Sequence, residues 1–93
     1  MRILVRFFLD DLGTAEQRQF EKEEEWPWPW PPQAGLAVQV RGFRSRALIV
    51  ERVIYDMNRG GLIMVDFVGS KLGGDVDGAA QELRSIGYVE VGR

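Results

Sequence analysis

Cysteine and histidine are both absent from this 93-residue chain. Without cysteine there are no disulfides, no thiolate chemistry and no cysteine-based zinc site. Without histidine the chain lacks the usual general base, the usual metal ligand and a partner needed by serine and cysteine triads. Any catalysis would have to run on Asp, Glu, Lys, Arg, Tyr or Ser. The sequence therefore reads as a non-enzyme with no cofactor. Long apolar runs are also missing. The opening stretch from Met1 to Leu9 is interrupted by Arg6 and is too short for a signal core or a membrane span, so the expected compartment is the cytoplasm. A net charge of −2 gives no general attraction to nucleic acid or anionic lipid.

The charges that are present lie in blocks. Seven acids fall between Asp10 and Glu25, against Arg18 and Lys22, and five arginines fall between Arg41 and Arg59, against Glu51 and Asp56. The length suits one domain with a small core. Within it, residues 2–9 alternate as a strand, with Ile3, Val5, Phe7 and Leu9 on one face and Arg2, Leu4, Arg6 and Phe8 on the other. Asp10-Asp11-Leu12-Gly13 reads as a turn. Residues 14–25 read as an acidic arm or short helix. Thr14 and Gln17 have capping-box spacing, but Phe20 is nearly alone as an apolar residue and four glutamates crowd the C-terminal end. The alternative is a strand carrying Arg18, Phe20 and Lys22 along one side.

All three tryptophans and all four prolines stand in Trp26-Pro27-Trp28-Pro29-Trp30-Pro31-Pro32. Each proline fixes its own φ and holds the preceding tryptophan extended, so residues 26–32 should form a stiff strap. Residues 36–68 read as a three-stranded meander: Leu36, Val38 and Val40 face inward in its first strand and Ile63, Val65 and Phe67 in its last, while the middle strand carries Ile49, Val53, Tyr55 and Met57 on one parity and Leu48, Val50 and Ile54 on the other. At Glu51-Arg52 the apolar parity switches, which predicts a bend or bulge. Asn58-Arg59-Gly60-Gly61 marks a turn. Val76, Ala79, Ala80, Leu83 and Ile86 form a helical stripe over 75–86, started by Asp75 or Asp77 and ended at Gly87 with Tyr88 packing back on Leu83. Residues 88–91 make a last short strand.

Pro32-Gln33-Ala34-Gly35 leading into Val38-Gln39-Val40 resembles small bacterial SH3-like barrel domains over roughly residues 32–67. The resemblance implies a barrel and carries no site residue with it. The expected fold is α+β: about five antiparallel strands, bent or barrel-like, with one C-terminal helix and the tryptophan-proline strap.

Three sites follow from the residues. Trp26, Trp28 and Trp30 suit binding, since tryptophan is enriched at hot spots and proline lowers the ordering cost of a bound segment. They could contact a protein or peptide, cross to a second subunit, or close their own core. Arg41, Arg44 and Arg46 around Phe43 have the charge and ring that single-stranded nucleic acid uses, or else form a solvated hairpin. Asp66, a carboxylate on an apolar strand, needs an arginine partner or marks a small-molecule site in the barrel mouth. Asp10, Asp11, Asp75 and Asp77 match no metal-loop spacing. Ser70-Lys71 in the glycine-rich 69–74 stretch has the wrong order for a phosphate loop and reads as a connector. The second apolar faces of the strands (Leu4, Phe8, Leu62, Met64, Val68) exceed what one helix and a strap cover, which points to a homodimer.

Overall fold

The computed structural model describes residues 1–10, 17–43, 47–68 and 76–91. The fold is α+β. Its strands are β1 (Arg2–Asp10), β2 (Gln17–Glu25), β3 (Ala37–Val38), β4 (Leu48–Ile49), β5 (Arg52–Asp56), β6 (Leu62–Val68) and β7 (Val89–Val91), with the helix α1 (Val76–Ser85) between the last two. A five-stranded sheet runs in the order β5-β6-β1-β2-β7, and β3 pairs only with β4.

Two expectations are corrected by this topology. The sheet is open rather than a closed barrel, with β5 and β7 as its edges. It is also mixed, because β1 and β6 run parallel in the register Ile3↔Ile63, Val5↔Val65 and Phe7↔Phe67. A parallel neighbour requires a long crossover, which no local pattern announces. The helix expected at residues 14–25 is corrected as well. Gln17–Glu25 is a strand paired along its length with β1, from Arg2↔Glu25 to Asp10↔Gln17. Its backbone bonds come from β1 and, over Gln19–Glu21, from β7, and Phe20 sits beside Phe7 in the core, so tertiary pairing overrides the weak helical signal.

The core lies on one face of the sheet. Ile3, Val5, Phe7 and Leu9 line it together with Phe20, Val65 and Phe67, and Ala79, Ala80 and Leu83 of the helix pack into the same cluster. Phe7 is central: Phe67 stacks on it at 5.1 Å, and Phe43 and Tyr88 meet it edge-on at 5.0 and 5.3 Å. The Tyr88 hydroxyl is buried without a partner, and burial pushes its pKa up. Gly42, at φ 80°, turns the chain so that Phe43 enters the core, and a Cβ there would meet Ile86 at 3.0 Å. Leu48 and Val50 point into the cluster, whereas three residues after Val50 it is Val53 that pairs with Val65, so the inward parity does switch across Glu51-Arg52 as the chain passes from the small sheet to the large one.

The helix ends in a Schellman motif. Tyr88 N–H donates to the Leu83 carbonyl at 2.9 Å, Gly87 N–H to Arg84 at 3.2 Å, and Gly87 has φ 98°. An ion cluster then ties the helix to the sheet. Glu90 accepts from Arg18 at 3.0 and 2.9 Å and from Arg84 at 2.7 Å. The bonds from Arg18, followed by those from Arg84, hold the Glu90 carboxyl at about 2. A carboxyl depressed in the folded state stabilises fully above its unfolded value and loses that contribution as pH falls towards the folded value. Glu90→Gln should therefore cost about 1–2 kcal/mol at neutral pH, the solvent-facing edge screening the rest. Urea unfolding at pH 7 and again near pH 3 should show that deficit shrink with acidification. An equal deficit at both would remove the ion pair as its cause.

Candidate functional site

The tryptophan tract begins as a continuation of β2. Trp26 N–H donates to the Met1 carbonyl at 2.7 Å, and its side chain falls on the core face, where it is 4 % exposed. Pro27 cannot donate, so the ladder stops there. The indole N–H of Trp26 donates to the Trp30 carbonyl at 2.7 Å and folds the tract back on itself. Trp28 and Trp30 stack with centroids 5.3 Å apart, and each meets Trp26 edge-on, at 4.9 and 5.6 Å. Neither a regular polyproline helix nor a flat strand describes this arrangement; it is a bend around a buried indole. Pro32 is buried at the far end. Between these anchors Trp28 and Trp30 remain 40 % and 44 % exposed.

A cleft of about 280 Å³ opens beside the tract. Its floor is the core face of the sheet at Ile3, Val5, Val65 and Phe67. Trp26, Pro27 and Trp28 form one wall and residues 38–41 the other, with Glu24, Glu25 and Arg41 as its charged lining. Glu24 is paired with Lys22 at 3.1 Å, and Glu25 accepts from the Met1 amino group at 2.6 Å, which holds its carboxyl below the ordinary range.

Asp66 lies elsewhere, on the opposite face of the sheet, in register with Arg6 and Arg52. It is completely inaccessible. One oxygen accepts from Arg6 Nε at 2.7 Å; the other accepts from Arg6 Nη2 at 2.8 Å and Arg52 Nε at 2.6 Å. Both guanidiniums also sit against the Phe8 ring, at 5.2 and 5.4 Å. The carboxylate thus has the arginine partners that burial demands, and its oxygens are committed to them. Leu4 and Met64 are buried on this face too, outside the main core cluster.

Phe43, which the sequence sets among the hairpin arginines, is fully buried against Phe7. Arg41 faces the cleft, while Arg44 and Arg46 lie outside the described residues, as do Asp11, Asp75 and the 69–74 stretch. Among the described residues no group of three or more carboxylates is placed to hold a metal, and no helix is long and apolar enough to cross a membrane. Reading the sequence alone missed Arg6, whose position among Leu4 and Phe8 signals a buried partner, and the cleft itself, which depends on how β3 stands off the sheet. Comparison with protein-family models, with characterised proteins and with solved structures finds no match to this chain.

Proposed function

We propose that this chain is a small non-enzymatic protein- or peptide-binding module that self-associates through the exposed face of its tryptophan-proline tract. One observation carries the reading: Trp28 and Trp30 are held stacked, yet 40 % and 44 % exposed, by a third tryptophan that is itself buried. A rigid aromatic pair presents a large contact area at small ordering cost, which is the profile of an interface hot spot. Pro27, Pro29 and Pro31, which flank them, are exposed as well, so a second tract offers rings of matching size.

Sedimentation velocity across a dilution series tests this, with the wild type beside a Trp28→Ala/Trp30→Ala variant. Loss of two hot-spot side chains should weaken association more than about thirtyfold. Because both rings are half in water, the thermal midpoint should move little. A wild type that stays monomeric at every concentration would overturn self-association. Association unaffected by the double substitution would place the contact elsewhere.

A further inference from the structure

The cleft beside the tract carries an inference independent of self-association. Its lining is apolar below and charged above, and the charges do not cancel evenly. Glu24 is matched by Lys22 and Glu25 by the Met1 amino group. Of the charged residues lining the cleft, Arg41 alone has no ion-pair partner among the described residues. The floor of Ile3, Val5, Val65 and Phe67 offers no hydrogen bond from a side chain, so a ligand body there must be apolar. At roughly 30 Å³ for a group the size of one water, the space suits a body of about nine heavy atoms, one ring or a short alkyl chain.

We propose that this cleft binds a small amphipathic carboxylate, with its apolar body between the tryptophan wall and Val38–Val40 and its head on the Arg41 guanidinium. A guanidinium takes a carboxylate through two parallel N–H bonds, which a neutral head cannot reproduce. The chain is acidic overall, so the preference for an anion is local to this residue. An ammonium head would meet glutamates already engaged by cations.

Three probes with the same ring and different heads decide the matter: phenylacetate, phenylacetamide and phenethylamine. Titration is followed by backbone amide shifts of Val38 and Val40, with tryptophan emission alongside. Phenylacetate should bind at least tenfold more tightly than phenylacetamide, and phenethylamine most weakly. Arg41→Gln should erase the difference between acid and amide while leaving the fold intact, since Arg41 is exposed. Equal binding of acid and amide by the wild type, tighter binding of the amine, or no saturable shift at millimolar probe would each overturn the proposal. Because Trp28 lines the cleft and also belongs to the proposed contact, the titration is run at a concentration where the chain is monomeric. Failure here therefore leaves the tract's association standing, and failure of association leaves the cleft to be judged by its own titration.

Discussion

Asp66→Asn is expected to lower the unfolding free energy by about 3 kcal/mol, the largest effect of any single polar substitution in this chain. The carboxylate is inaccessible and accepts bonds from two arginines, so an isosteric amide leaves two positive charges facing a neutral group. The cost falls at the low end for a broken buried pair because Arg52 is 54 % exposed and can turn towards water; Arg6, at 17 %, cannot. A chain of this length has about 5–14 kcal/mol in all, so the loss is a sizeable part of its stability. Replacing the whole group, as Arg6→Met/Arg52→Met/Asp66→Leu, should restore most of it, since no unpaired charge remains buried. Guanidinium unfolding of the three proteins checks the pattern. A single variant within 0.5 kcal/mol of wild type, roughly the error of such extrapolations, would show that the charges are better hydrated than their burial indicates.

Trp26→Ala should be comparably severe, at about 3–5 kcal/mol, for a different reason. It removes the largest side chain from that end of the core and the donor that holds the Trp30 carbonyl at 2.7 Å. Trp28 and Trp30 lose the indole against which both are set edge-on, so their emission should shift to the red as the stack opens. The thermal midpoint should fall by roughly 15 °C or more. Trp26→Phe keeps much of the volume and loses only the hydrogen bond, so about 1 kcal/mol of further cost is expected beyond the change in size. If Trp26→Ala left the emission of the other two unchanged, the buried indole would not be what positions them.

Much of the architecture was legible residue by residue. Alternation placed Ile3, Val5, Phe7 and Leu9 on the buried face, where all four lie. Helical spacing placed Ala79, Ala80 and Leu83 inward, and Gly87-Tyr88 predicted a helix end whose two bonds are both present. The parity switch after Val50 located the passage between sheets. These features are local: each is set by a few neighbouring side chains and the backbone geometry they prefer. What escaped was non-local. β2 is a strand because β1 and β7 supply its hydrogen bonds, and the alternation of Arg18, Phe20 and Lys22 offered a strand only as the alternative to a helix. Phe43 looked like a surface ring among arginines, yet the aromatic cluster around Phe7 takes it in. Asp66 was recognisable as a carboxylate in need of an arginine, but which arginines depended on a parallel pairing across the length of the chain. The exposed half of the candidate site, Trp28 and Trp30, was visible because tryptophan and proline are confined to one stretch.

The parallel neighbour of β1 also sets an order of events during synthesis. Arg6 and its partner Asp66 are 60 residues apart in the chain. From Glu25, where β2 is complete, to Val68, the end of β6, a ribosome adding about 5–20 residues per second needs roughly 2–9 s. The β1–β2 hairpin can close within microseconds of leaving the exit tunnel. For those seconds the hairpin carries an open edge from Ile3 to Phe8 with no β6 to cover it. The nascent chain is thus most vulnerable to sticking to others between the completion of β2 and that of β6, and the arrival of residues 62–68 ends that interval.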